Sequence, residues 1–215
     1  MYIPKPFVLT DREEIQAVLR DYAFAVLVTA IDGAAPVASH LPITHAPDEG
    51  PNGALITHMA RANPQWHDLI RLQESGGEAL VIFQGPHAYV SPRWYAHGPA
   101  VPTWNYVAVH AYGIPRLIED SARVRRLLAD LADTYEAGAA EPWRLDTLGE
   151  SYTAPKIRGI VAFEIPIARL EAKAKLNQNR HPDDQQGVIA ALRDGEDPLG
   201  REVAKMMQRC EPDTD

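Results

Sequence analysis

The pattern of apolar and polar positions predicts hairpin-linked strands, interrupted by a few stretches of helical spacing and followed by a helical tail. Ile15, Val18, Leu19 and Tyr22 recur at helical intervals behind Thr10-Asp11-Arg12-Glu13, which fits a capping box and a short first helix. Residues 23–31, AFAVLVTAI, are too apolar and β-branched for a surface helix and read as a buried strand. Asp32-Gly33 is a two-residue hairpin signal, residues 34–44 return as the second strand, and Pro42 marks an edge or bulge in it. ALITHM is a third strand. Asn63 is then a favoured helix cap, Pro64 suits the first helical position, and the helix runs to Ser75, where Gly76-Gly77 stops it.

Downstream, EALVIFQG reads as a strand, AYVSPRWY as a second extended piece, and 103–113 as a long strand followed by IPRLIE. From Ser121 to Ala137, Val124, Leu127, Leu128, Leu131 and Tyr135 form one helical stripe. Residues 138–155 look irregular, IRGIVAFEIPIARLEAKAKL is strand-rich, and the tail from Pro182 reads as one or two polar helices. There is no internal repeat and no Gly/Ser linker. Hairpin-linked strands with few helices predict an α+β, mainly β protein, an antiparallel barrel or sandwich rather than a βαβ sheet.

Composition narrows the class. At 215 residues, with 46% hydrophobic and 23% charged residues, the chain has an ordinary soluble composition and length for one substantial core. No apolar run approaches a membrane span, no signal peptide is recognisable, and the single cysteine, Cys210, excludes an intrachain disulfide; a cytoplasmic protein is expected. The net charge of −8 does not exclude a nucleic-acid binder but leaves that to be shown, because the only dense basic cluster is Arg123, Arg125 and Arg126.

The candidate chemistry is sparse. The eight histidines include no H-E-x-x-H pair and have no cysteine cluster to join, so no metal site is expected. No serine lies in a G-x-S-x-G context, and Gly-rich nucleotide loops are absent. In ITHMARANPQWHDL, Arg61 stands between a strand and the helix start at Asn63-Pro64, where free N–H groups and the helix dipole would favour an anion. A solvated Arg61 beside a plain cap explains that spacing equally well. Trp94, Tyr95, Trp104, Tyr106 and Tyr112 read in part as core or interface residues, with Trp104-Asn105-Tyr106 able to wall a planar cofactor. Lys175, Asn177, Gln178, Asn179 and Arg180 form a donor-rich segment that a solvated turn would also explain.

Six stretches, MYIPKPF, ASHLPI, THMARANPQW, FQGPHAYVSPRWY, VPTWNYVAVHAYG and KLNQNR, resemble in this order the PaiB-type FMN-binding negative transcriptional regulators. That family is similar in fold to pyridoxamine-phosphate oxidase and the flavin-reductase-like barrels. The resemblance runs from Met1 to the helix after Arg180; the family usually has Ser where Asn177 stands. It implies an antiparallel split β-barrel with peripheral helices, an FMN-binding domain over 1–180, a helical C-terminal extension over 181–215, and a homodimer with FMN at the subunit interface. Arg61, with Asn63 close by, then falls on the FMN phosphate grip. Ile56, Thr57 and His58, and Ser39 with His40 on the neighbouring strand, would run past the isoalloxazine, Trp104, Asn105 and Tyr106 would lie near the flavin edge, and Gln178, Asn179 and Arg180 would come from the second subunit. No catalytic residue identifies itself, His58 being the first candidate. A regulator using FMN as redox or ligand sensor, an FMN-dependent oxidoreductase and, further off, a haem-handling barrel stay open. DNA is a partner the charge does not support, and no membrane association is expected.

Overall fold

Strands form where the period-2 pattern is strongest. They are β1 (Phe24–Thr29), β2 (Val37–Ala46), β3 (Ala54–Ala60), β4 (Ala79–Val90), β5 (Thr103–Gly113), β6 (Arg116–Ile118), β7 (Ile160–Pro166) and β8 (Arg169–Lys175). The helices are α1 (Arg12–Asp21), α2 (Gln65–Ser75), α3 (Ser121–Glu136), α4 (Glu150–Arg158), α5 (Pro182–Asp194) and α6 (Pro198–Arg209). The structure is a computed structural model that describes residues 1–209; Cys210 and the end of the expected 181–215 extension lie outside the described residues. The strands form one eight-stranded antiparallel sheet, ordered β6-β7-β3-β2-β1-β4-β5-β8 and not closed into a full barrel.

The chain divides into two compact units, one of Leu19–Phe83 with Ala111–Leu170, the other of Met1–Val18, Gln84–His110 and the described part of 171–215. In the first unit, β1 and β2 pair from Phe24↔Pro42 to Thr29↔Val37. Asp32-Gly33 makes a turn, with the Ala34 N–H donating to the Ile31 carbonyl at 3.0 Å, but within a connection over 30–36 that is longer than the expected two-residue hairpin loop. β2 meets β3 at Ile43↔Thr57, and β3 pairs with β7 along its whole length, from Ala54↔Pro166 to Ala60↔Ile160. One face of these strands buries Ala25, Leu27, Leu41, Ile43, Leu55, Thr57 and Met59. On the opposite face, Ile118, Val124 and Ala162 form a second cluster, packed by Ile56, Leu127, Leu128, Ile157 and Ile160. In the other unit, β8 carries the N-terminal segment, with Leu9 N–H donating to the Ala172 carbonyl at 3.0 Å, and α5 packs against α6.

Three local expectations shift. The first helix is capped one residue later than Thr10: Asp11 Oδ1 accepts from the Glu14 N–H at 2.9 Å, so the acidic cap and its N3 glutamate are Asp11 and Glu14. EALVIFQG and AYV are one continuous strand, β4, that passes through Gly85-Pro86. The stretch expected to be irregular holds α4, hidden by Pro155 within it. By contrast, α2 ends as the sequence suggests, with Gly76 left-handed at φ 72°.

The start of α2 is fastened to the β1–β2 hairpin by a buried carboxamide. Gln65 is 1% exposed, and its Nε2 donates towards the Val37 carbonyl at 3.0 Å, the Leu27 carbonyl at 3.2 Å and Thr29 Oγ1 at 3.2 Å. All three are acceptors here, because the Thr29 hydroxyl donates onward to Asp68 Oδ2 at 3.2 Å, and that fixes which way the amide points. A buried polar group that loses its partner costs about 1–3 kcal/mol. Gln65→Leu, which strands these acceptors, is expected to lower stability by about 2–3 kcal/mol. In urea unfolding the midpoint should fall at unchanged slope; an unaltered midpoint would refute the clasp.

Candidate functional site

The junction between β3 and α2 is built from three side chains that go different ways. Pro64 has helical angles (φ −65°, ψ −14°), and Asn63 Oδ1 accepts from the Gln65 N–H at 3.1 Å, so Asn63 caps the helix as its sequence position suggests. Its Nδ2 donates to Ser39 Oγ on β2 at 2.8 Å. Arg61 turns elsewhere. Its Nε donates to the Arg158 carbonyl and its Nη2 to the Ile160 carbonyl, both at 3.0 Å, and its backbone N–H donates to the Gly159 carbonyl at 2.8 Å. The Trp66 indole N–H donates to the Arg61 carbonyl at 3.0 Å, and the guanidinium carbon lies 5.9 Å from the Trp66 ring centre. Arg61 thus ties the strand end to the α4–β7 turn, and Nη1 is left without a protein acceptor among the described residues. It lines a cavity of about 360 Å³, beside Trp66, Ser121, Val124, Ile157 and Arg158.

Strand alternation splits the remaining residues of this unit between two faces. Ile43 opposes Thr57, so Ser39 and Thr57 share the main core face, while His40, Ile56 and His58 share the other. Thr57 Oγ1 donates to the Pro42 carbonyl at 2.9 Å, which satisfies it internally. Ile56 packs into the cluster beneath α3, and His40 is exposed, 6.2 Å from the Phe24 ring. His58 is half-buried; its Nδ1 is shielded from solvent and has no hydrogen-bond partner, and burial lowers its pKa from the ordinary 6.5. A planar ligand on one face therefore meets the side chains of only one set and the backbone of the other.

In the second unit, β5 alternates likewise. Trp104 is half-exposed, 6.1 Å from Tyr89 in an edge arrangement and 6.2 Å from His87. Tyr106 lies on the same side of the strand, with the Lys173 ammonium 5.0 Å from its ring centre. Asn105 points the other way, fully buried, its Nδ2 3.5 Å from Met207 Sδ on α6 and its Oδ1 without a partner. Lys175 Nζ donates to the Trp104 carbonyl at 2.8 Å and to the Thr103 hydroxyl; burial, then the Lys173 charge, lowers its pKa.

The donor-rich turn is largely self-satisfied. Gln178 Oε1 accepts from the Leu176 N–H at 2.7 Å and its Nε2 donates to the Ala174 carbonyl at 2.6 Å. Asn179 is exposed, and the Arg180 guanidinium lies 4.7 Å from the Tyr95 ring centre. Asn177 sits at φ 65°, a left-handed conformation that asparagine tolerates better than most residues. Gln65 and the pair His97–Asp184 carry no local sequence signal, since their partners lie far away along the chain.

The open antiparallel sheet with its peripheral helices has the split-barrel fold, and the family it belongs to is one of FMN-binding domains. The chain belongs to the family described as "Putative FMN-binding domain", whose profile matches residues 1–169. It is 37% identical over 208 residues to the Bacillus subtilis "Protease synthase and sporulation protein PAI 2", covering 97% of each chain. It is 32% identical over 228 residues to "Uncharacterized protein AN0679" of Emericella nidulans, covering 90% of this chain and 91% of that one. Among solved structures, the FAD and heme binding protein from Mycobacterium smegmatis superposes with a TM-score of 0.58 at 19% identity, over 83% of this chain and 78% of that one, which shows the shared fold. Among the described residues, no helix is long and apolar enough to cross a membrane.

His45 and His58 both have pKa values lowered by burial, opposed at His45 by a hydrogen bond with the Asn52 backbone. The folded chain therefore keeps these rings neutral to lower pH than the unfolded chain does, and below the ordinary 6.5 the unfolded state binds more protons. Their contribution is whole above that value and is lost as pH falls through the lowered folded values. The urea midpoint should thus fall on acidification from about pH 7.5 to about pH 5.5, and His58→Gln should flatten the dependence. Identical profiles for the two proteins would remove His58 from the account.

Proposed function

We propose that this chain is a regulatory flavoprotein, in which FMN serves as a redox or ligand sensor and the response passes through protein contacts rather than a DNA-binding face. The observation that carries the second half is the state of the α3 arginines. Arg123 pairs with Glu164 and lies 3.6 Å from Glu49, while Arg125 pairs with Glu150 and donates to Thr153 Oγ1 at 2.8 Å. Guanidinium groups already held by carboxylates have little to release to phosphates. The regulatory half draws on the Bacillus relative, named "Protease synthase and sporulation protein PAI 2".

The residues fit a flavin. When bound, FMN supplies reversible redox chemistry, and the protein's part is to hold it and shape its surroundings. Arg61 retains Nη1 for a phosphate oxygen, while Asn63, bonded to the Ser39 hydroxyl, caps the positive end of α2. The backbone of Ile56, Thr57 and His58 is the proposed wall for the ring system. A homodimer, with Gln178, Asn179 and Arg180 of the second copy reaching that flavin, completes the reading. An FMN-dependent oxidoreductase is the second reading, favoured by the partnerless Nδ1 of half-buried His58, which is fit to accept a proton.

Two measurements separate these ideas. A charge-assisted contact is worth about 1.5–3 kcal/mol, so Arg61→Ala should weaken FMN binding about ten-fold or more in a fluorescence titration. Because Arg61 also clasps the α4–β7 turn, Arg61→Lys, which loses the two-carbonyl geometry but keeps the charge, should bind FMN more tightly than Arg61→Ala. Equal affinities for all three proteins would sink the phosphate assignment. For the role of the flavin, the holoprotein is mixed with NAD(P)H under air. Persistence of the oxidised spectrum without NAD(P)H consumption supports the sensor, and sustained turnover that falls in His58→Gln moves the assignment to the oxidoreductase.

A further inference from the structure

The strongest unassigned chemistry lies at the start of α5, in the unit that contains β8. His97, on the loop after β4, meets His181 and Asp183 there: the two imidazole centroids are 4.3 Å apart, and one ligand atom from each of the three residues falls within 4.8 Å of the others. His97 Nε2 is 3.8 Å from Asp183 Oδ2, and His181 Nδ1 is 3.4 Å from the same oxygen. Metal–ligand bonds of about 2.0–2.2 Å in a tetrahedral arrangement place ligand atoms about 3.3–3.6 Å apart, so the two histidine–carboxylate separations need little adjustment. All three side chains are exposed, which leaves room for water in the remaining positions.

A second observation distinguishes this cluster from a chance gathering of surface groups. Asp184 is 3% exposed, and its Oδ1 accepts from the His97 backbone N–H at 2.8 Å and lies 3.2 Å from His97 Nδ1. A carboxylate only accepts, so the ring proton sits on Nδ1 and the Nε2 lone pair points away from Asp184. A buried carboxylate orienting an imidazole in this way is the outer-shell arrangement found behind metal-bound histidines. The backbone also holds the pieces close. A Cβ on Gly187 of α5 would come within 2.0 Å of the Trp94 carbonyl oxygen, so only glycine lets the helix approach the segment that carries His97. His181 Nδ1 now accepts a long bond, 3.3 Å, from the Asp183 N–H, which an incoming ion readily replaces.

We propose that His97, His181 and Asp183 form a binding site for one divalent transition-metal ion of the zinc class, with Asp184 as positioning residue. Two imidazoles and one carboxylate select zinc, nickel, cobalt or copper over magnesium and calcium, which prefer all-oxygen shells. The ion joins the loop after β4 to the start of α5, so it stabilises the folded chain by binding it in preference to the unfolded one.

The test uses the full chain without a histidine tag, stripped with EDTA, and titrates zinc chloride by calorimetry beside thermal unfolding. About one zinc per chain should bind, raising the unfolding temperature, with EDTA reversing the rise. Asp183→Asn and His97→Gln should each weaken binding by about ten-fold or more. His181→Asn keeps a capping side chain on α5 and should weaken zinc binding without lowering the zinc-free unfolding temperature. Absence of saturable binding, or zinc affinity unchanged in both Asp183→Asn and His97→Gln, overturns the site. The Asp183 side chain is 64% exposed, so Asp183→Asn tests ligation even if a change at His97 disturbs folding.

Discussion

The carboxamide of Gln65 is the contact on which the geometry of the first unit depends. One buried NH₂ group reaches two carbonyls and a hydroxyl on both strands of the β1–β2 hairpin, and it does so from the first turn of α2. The helix start therefore cannot slide along the sheet without stranding acceptors in the core. Asn63, two residues earlier, is held within reach of Ser39 as a consequence, and Trp66, one residue later, is held over the Arg61 carbonyl. The positions of Asn63 and Trp66, beside the proposed phosphate contact, are thus set by a residue to which that proposal gives no part.

Arg61 shows how a local motif underdetermines a site. Strand, arginine, cap and helix are legible from ITHMARANPQW, and so are the cap and the helix end at Gly76. The direction of the guanidinium is not, because it depends on the carbonyls of Arg158 and Ile160, almost a hundred residues on. These carbonyls are presented by the end of α4 and the first residue of β7, and α4 is concealed by Pro155 and by the irregular look of the residues before it. Period-2 alternation, in contrast, can be read directly. Adjacency in a strand is enough to put Thr57 and His58 on opposite faces, and the register Ile43↔Thr57 then decides which face is which.

The same contrast separates the parts of the second unit. The long strand 103–113 is legible because TWNYVAVHAYG alternates well enough, and Trp104 and Asn105 diverge accordingly. The continuity of β4 is not, since Gly85-Pro86 carries turn chemistry in a place where the backbone runs straight on. The histidine cluster is hidden for a different reason. His181 and Asp183 are neighbours in HPDD, but His97 reaches them only because α5 lies against the 91–95 segment at the closeness that Gly187 permits. A search for ligands by spacing finds sites built within one element or one loop, whereas this one is built by packing.

Charge gives the functional argument its direction. A protein of net charge −8 can still bind an anion or a nucleic acid through a local field, so the sum decides little, and what matters is which cations are uncommitted. On α3, Glu164 and Glu150 occupy Arg123 and Arg125, two members of the densest basic run in the chain. Arg61 stands differently: its acceptors are neutral carbonyls, which share its hydrogens without neutralising its charge. Its field is therefore still available to a phosphate, while the field of the α3 pairs is locally cancelled. That difference favours a small anionic cofactor over a polyanion, and it supports the proposal of a flavoprotein that acts through protein contact.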